Sequence, residues 1–278
     1  MSEHMSMPVS PDLHFRMPVL FIGHGSPMNM VLENGLTHSL EKLGRSLPKP
    51  RAIMIISAHW LTHGTFVTCV DKPRMIYDFY GFPGELYKVR YDCEGAPGYA
   101  RLATELITEE RSIRCDHEWG IDHASYSILR HMFPEADIPV FEMSLDYSFN
   151  NWHPKSVQYH YDLAGRLREL RNTGILVIGS GNVVHNLDRI DFADIDAQPY
   201  DWAVEIDEKI RSNLISGNHQ DLINYLAMGK AAYLAVPTLD HYLPMIYAIA
   251  LQEKDDELQF SYEGFQHGSI SMRCFRIG

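Results

Sequence analysis

Residues 51–64 read RAIMIISAHWLTHG, and the way this stretch ends decides how the chain is read. Ile53, Met54, Ile55 and Ile56 form the short, wholly apolar run of a strand buried on both faces, the pattern of a parallel sheet. A buried strand ordinarily gives way to Gly, Pro, Asn or Asp, which suit the turn that follows. Here the run shrinks through Ser57 and Ala58 and is read as ending at His59, a metal-capable imidazole, beside Trp60. A lone histidine there would also fit a hydrogen-bonded group at the rim of a core. The pattern recurs, however. PVLFIGHGSP (18–27) leads through Gly23 to His24, and ILVIGSGNVVHN (175–186) leads through Gly179-Ser180-Gly181-Asn182 to His185. AYLAVPTLDHYLP (232–244) reaches Asp240 and His241 after Pro237.

Outward from these four segments, strand and helix signals alternate. The expected fold is therefore a single α/β domain with a mainly parallel central sheet flanked by helices. Leu36, Leu40, Leu43 and Leu47 repeat at helical steps until Pro48 and Pro50. Further helices are expected over roughly 97–110, 153–172, 200–216 and 219–228, and after the Asp240-His241 segment. Further strands are expected at 65–70 and 138–146 and in the two closing segments, LQFSYEG and SISMRCFRIG. In an open parallel sheet ligands bind outside the carboxyl ends of the strands, so all four histidine-bearing turns belong at one edge.

Composition narrows the function. The 278 residues, 45% hydrophobic, can bury a large core, and a formal charge of −12 with no basic stripe gives no reason to expect nucleic acid or an anionic membrane as partner. No signal-like segment opens the chain and no apolar run is long enough to span a bilayer, so a cytoplasmic protein is expected. Cys69, Cys93, Cys115 and Cys274 are scattered, without a C-x-x-C pair, and suggest neither a zinc ribbon nor a disulfide framework. GHGSPM and GSGNVV lack the sixth-position Gly or Ala of a dinucleotide fingerprint, and there is no P-loop, G-x-S-x-G or H-E-x-x-H motif. His63 lies four residues after His59 but outside any helix, and the histidine in YHYD (159–162) is read as solvated on a helix surface.

What remains is a cluster of imidazoles suited to zinc or ferrous iron. Asp122 stands at an N-cap position before an apolar helix, followed by His123. RMIYDFYGFPGELY (74–87) sets Tyr77, Phe79 and Phe82 in a stretch broken by Gly and Pro, which suits a wall or lid for a flat ring.

In order along nearly the whole chain, FIGHGSPMNM, ISAHW, YDFYGFP, WGIDHAS, GSGNVVHN and DHYLP resemble the bacterial and plant DOPA extradiol dioxygenase family, a branch of the LigB-type, or class III, extradiol ring-cleaving dioxygenases. The resemblance implies a catalytic domain over residues 17–278 after a flexible segment, 1–16. It also implies non-haem Fe(II) and the opening of a catechol by dioxygen, for a DOPA-like substrate by 4,5-cleavage to a semialdehyde. His24, His59 and His241 match the family's metal ligands. His185 matches a base-like histidine that can itself approach the metal, and His123 one that acts on substrate or oxygen. Tyr77, Phe79, Phe82 and Trp60 are the candidate substrate contacts. Relatives with a two-histidine, one-carboxylate site place an acid near the last ligand, so Asp240, His241 or both are candidates to face the metal. Zn(II) can occupy such a nitrogen-rich site and has no redox chemistry. A zinc-dependent hydrolase and a non-catalytic metal-binding protein are the alternatives.

Overall fold

The computed structural model describes residues 16–107, 112–149 and 154–278. Its elements, in chain order, are β1 (Val19–Gly23), α1 (Gly35–Ser46), β2 (Ala52–Thr62), β3 (Phe66–Thr68), α2 (Pro97–Leu106), β4 (Arg114–Asp116), α3 (His123–Met132), β5 (Val140–Asp146) and α4 (Pro154–Gly165). There follow β6 (Ile175–Gly181), α5 (Asp201–Ser216), α6 (His219–Ile223), α7 (Lys230–Ala235), α8 (Leu243–Ala250), β7 (Leu258–Tyr262), β8 (Phe265–Gln266), β9 (Ile270–Ser271) and β10 (Cys274–Ile277).

Among the described residues eight strands form one sheet in the order β4-β3-β5-β2-β6-β1-β10-β7, and β8 and β9 form a separate antiparallel pair. The four central strands, β5-β2-β6-β1, are parallel, as the apolar runs required. Antiparallel pairings flank them, β3 with β5 on one side and β1–β10–β7 on the other. Side chains alternate across the sheet. Leu20, Ile22, Ile53, Ile55, Leu176 and Ile178 pack on the face covered by α1 and α3. Val19, Phe21, Met54, Ile56, Ile175 and Val177 pack on the face covered by α4, α5 and α8.

Local signals explain the element ends. Asn34 accepts from Thr37 N–H and Thr37 Oγ1 accepts from Asn34 N–H, a reciprocal cap that starts α1. Its buried Leu36, Leu40 and Leu43 then face the sheet, and Leu47 leaves the helix in extended conformation ahead of Pro48.

Several expectations are corrected. β2 does not end at His59 but runs on to Thr62, with its register against β5 shifting between Ile56 and Leu61. His59 thus sits in an irregularity of the strand, the kind of feature that re-aims a side chain beside a site. The helix expected over 153–172 stops at Gly165 and resumes as a tighter 3₁₀ segment, Arg168–Thr173. The stretch expected to be helical over 219–228 divides in the same way after Ile223. Residue 153 and residues 108–110 of the expected 97–110 helix lie outside the described residues, as do residues 1–15 of the segment expected to be flexible. Arg16 of that segment is pinned, to Glu253 and Asp256, each at 2.7 Å. Cys69 and Cys115 form a disulfide, because parallel pairing of β3 with β4 brings together two cysteines 46 residues apart, which spacing alone does not reveal. No helix among the described residues is long and apolar enough to cross a membrane.

Candidate metal centre

Three neighbouring strands and one loop deliver the imidazoles. His24 follows β1 directly, its N–H donating to Gly181 O at 3.2 Å, and Gly25 then turns the chain at φ +62°. The turn favours glycine at this positive φ, and a Cβ there would also have to displace the flexible end of Met272, 2.4 Å away at Cε. Beyond β6, Asn182 N–H donates to His241 O at 2.9 Å, and a Cβ on Gly181 would stand 2.2 Å from that same oxygen. The bare Gly181 therefore lets the α7–α8 loop settle on the end of β6. That close approach carries His241 into the space beside His24 and His59.

Nitrogen atoms of His24, His59 and His241 lie within 4.8 Å of one another. Their second nitrogens are spoken for. Ser180 Oγ donates to Ala124 O at 2.7 Å and so accepts from His24 Nδ1–H at 3.1 Å. His241 Nδ1 donates to Asp240 Oδ2 at 2.6 Å, and His59 Nδ1 lies 2.8 Å from Asp78 Oδ2. A carboxylate oxygen so close requires the proton on Nδ1. In the neutral rings each Nε2 then keeps its lone pair, the arrangement in which a neighbouring acceptor fixes the tautomer of a ligating histidine. Burial works against a charge on His59, but Asp78 and the other nearby carboxylates raise it above the usual histidine range.

The His24 and His59 Nε2 atoms are 3.3 Å apart. Two lone pairs at that distance repel unless a positive charge lies between them. A shared proton satisfies two of the three nitrogens; a divalent cation satisfies all three. The donor set therefore fits a metal, and its all-nitrogen character fits zinc or ferrous iron. Burial together with the neighbouring imidazoles lowers His24 well below the usual histidine range, which keeps it neutral and able to ligate. Burial also lowers His241, against the pull of Asp240. Burial works against the charged form of Asp78 too, yet hydrogen bonds from His123 and His59 hold its carboxyl well below the ordinary carboxylate range.

The other candidates surround this point. His185 stacks on His241, ring centroids 3.5 Å apart and planes 6° from parallel, and belongs to neither group of converging ligand atoms. His123 meets His59 edge-on at 4.2 Å, and Asp78 Oδ1 accepts from its N–H at 3.0 Å and its Nδ1–H at 2.9 Å. Asp78 thus grips His59 with one oxygen and His123 with the other. The placement of both oxygens accounts for the convergence of His59, Asp78 and His123 as a second group of ligand atoms, which shares His59 with the first. Burial lowers His123 to about 4, with His59 adding to the effect. Phe79 approaches His123 edge-on at 5.5 Å and packs against Phe82 at 5.7 Å and Tyr77 at 6.2 Å. Tyr77 is tied down through its hydroxyl, which donates to Val89 O at 2.8 Å. Trp60 is buried with its ring face stacked on Trp119 at 5.3 Å.

A family model described as the catalytic LigB subunit of aromatic ring-opening dioxygenase matches residues 18–271. The chain belongs to the LigB family. Among curated relatives of this LigB chain is the 4,5-DOPA dioxygenase extradiol of Escherichia coli (strain K12), 40% identical over 266 residues, 95% of each protein. That of Mirabilis jalapa is 32% identical over 255 residues, 90% of this chain and 92% of the relative. That of Portulaca grandiflora is 29% identical over 277 residues, 98% and 99% of the two. The crystal structure of the uncharacterized protein JW3007 from Escherichia coli K12 superposes with a TM-score of 0.81 at 36% identity, covering 95% of this chain and all of the other.

Sequence reasoning on this LigB chain missed Asp78, although it lies inside the quoted YDFYGFP stretch; only the rings of that stretch drew attention. It left Asp240 and His241 as alternatives, whereas the fold turns His241 toward His24 and His59 and sets Asp240 behind it. Asp122 does stand at the N-cap of α3, but its side chain does not cap: Oδ2 accepts from Ser57 Oγ at 2.6 Å. His160, read as solvated, is 1% exposed, with Nδ1 2.9 Å from the Tyr247 hydroxyl. The missed signal was its spacing from Val157 and Ala164, both buried on the same helical stripe.

Proposed function

We propose that this protein is a non-haem, Fe(II)-dependent extradiol dioxygenase that opens a catechol, most simply a DOPA-like one by 4,5-cleavage to a semialdehyde. The observation that carries the reading is the convergence of three histidine nitrogens whose partners Ser180, Asp78 and Asp240 occupy each Nδ1, so that in the neutral rings each Nε2 is free to ligate. His24, His59 and His241 would hold the metal, and three protein ligands leave coordination positions open for small molecules. When bound, ferrous iron supplies a Lewis acid for the catechol hydroxyls and a path for electrons from catechol to dioxygen; Zn(II) supplies only the first.

The chain's own residues do the rest. His123 presents Nε2 as an acceptor, because Nδ1 gives its proton to Asp78. It is placed to bind or orient a substrate hydroxyl. His185, stacked on His241, stands beside the ligand set and serves as the base that takes a catechol proton and later returns it. Phe79 closes the wall next to His123 and offers its edge to a flat ring. Names of the relatives, 4,5-DOPA dioxygenase extradiol, support the substrate class.

The test is an oxygen-electrode measurement on protein loaded anaerobically with Fe(II) and then given DOPA. One dioxygen consumed per catechol lost, with a coloured semialdehyde, is expected. Substrate loss without oxygen uptake would make the site a hydrolase, and neither change would make the chain a metal-binding protein.

A further inference from the structure

Glu142 lies at the centre of β5, wholly buried, and forms no ion pair among the described residues. A buried carboxyl group with no cation is costly, and an apolar side chain would fill the same space more cheaply. Its hydrogen bonds indicate what it does there. Oε1 accepts from Asp122 N–H at 2.8 Å and from the Ser125 hydroxyl, and Oε2 accepts from Trp119 Nε1–H at 2.8 Å. All three donors come from one seven-residue segment, and His123 lies within it.

A helix start is normally capped by the side chain of its own N-cap residue. Asp122 cannot do this, because its carboxyl group is turned to Ser57. Glu142 from the sheet and Asp78 from the aromatic loop take the donors instead, Asp78 receiving His123 N–H. Where His123 stands is therefore set by the sheet and the aromatic loop together, not by a cap from its own helix. The approach is close throughout: Ile121 N–H donates to Arg74 O at 2.9 Å, and a Cβ on Gly120 would lie 1.9 Å from that oxygen.

We propose that Glu142 is a positioning residue that bolts the start of α3 to β5 and so holds His123 at the substrate. The proposal rests on the reading that His123 faces the catechol. Sub-ångström placement of such a group governs how well it meets its ligand.

The test is a double-mutant cycle read by the affinity of the zinc-loaded protein for 4-nitrocatechol, followed by its visible absorbance, with zinc content measured on every sample. Glu142→Ala should weaken binding about tenfold when His123 is present and less than about twofold in a His123→Ala background. Zinc content should be unchanged in all four proteins. If Glu142→Ala does not fold, Glu142→Gln takes its place. The amide oxygen still accepts from Asp122 and Ser125, but the amide N–H₂ opposes the Trp119 N–H, so a smaller loss is expected, one relieved by Trp119→Phe. Equal losses in both backgrounds, no loss with His123 present, or loss of zinc would overturn the proposal. A His123→Ala protein that binds 4-nitrocatechol like wild type would instead refute the reading of His123, whatever Glu142 does.

Discussion

Replacing Asp78 by Asn removes one acceptor from a residue that uses both of its oxygens. In the native site Oδ1 takes two hydrogens from His123, and Oδ2 lies 2.8 Å from His59 Nδ1. Asn keeps the shape but has one oxygen and one N–H₂ group. The oxygen is best placed on the side with two donors, which leaves the N–H₂ pointing at His59 Nδ1. That nitrogen must then be the acceptor, and the His59 proton moves to Nε2, where it blocks the lone pair that faces His24 and His241. Loss of such an outer partner typically costs about 10- to 100-fold in metal affinity, about 1.4 to 2.7 kcal/mol. Competition for zinc against a chromophoric chelator measures the change. Asp78→Ala, which leaves His59 Nδ1–H free to meet water, should lose less affinity than Asp78→Asn. Wild-type zinc affinity in Asp78→Asn would refute the tautomer reasoning on which the ligand assignment stands.

Three further outcomes are expected. His185→Gln should keep its iron and lose about 10²-fold or more in turnover, measured as single-turnover ring opening per bound iron; loss of iron with normal turnover per remaining iron would make His185 a ligand. Phe82→Ala should raise the apparent KM for catechol without changing metal content, and it tests the loop more cleanly than Phe79→Ala, because Phe79 is only 7% exposed and its removal leaves a cavity in the core. His160 is pushed down to about 4 by burial, so the unfolded chain binds the extra proton first; stability should fall as pH drops from about 6.5 toward 4, by about 3 kcal/mol from this residue. Urea unfolding at both pH values should show that share of the slope missing in His160→Gln, and an unchanged slope would place the titration elsewhere.

What could be read from the sequence was what depends on local pattern. Apolar runs such as Ile53–Ile56 and Ile175–Ile178 specify buried parallel strands by composition alone, and the small residues and histidine after them mark one edge of the sheet. What escaped, the buried helical stripe of His160 apart, depends on contacts between distant segments. Asp78 acquires its role only when the 74–78 segment is strapped to 119–123, through Ile76 N–H to Ile121 O at 2.8 Å. His241 is distinguished from Asp240 by the glycine-permitted contact between its carbonyl and β6. Pairing of Cys69 with Cys115 likewise waits on the docking of β3 beside β4. The irregular register of β2 near His59 had no composition signal, since no glycine or proline interrupts Ala52–Thr62.

The most direct test of the proposed three-histidine iron centre is a titration of the metal-free protein with Fe(II) under anaerobic conditions, each point then mixed with DOPA and oxygen and the initial rate of ring opening recorded. The rate should rise linearly with bound iron to a plateau at about one ion per chain, the set of three Nε2 atoms offering a single site. The same titration with Zn(II) should bind to the same plateau and yield no ring-opened product. Ring opening by the metal-free or the zinc-loaded protein would contradict the assignment, as would full activity in a His24→Ala, His59→Ala double variant.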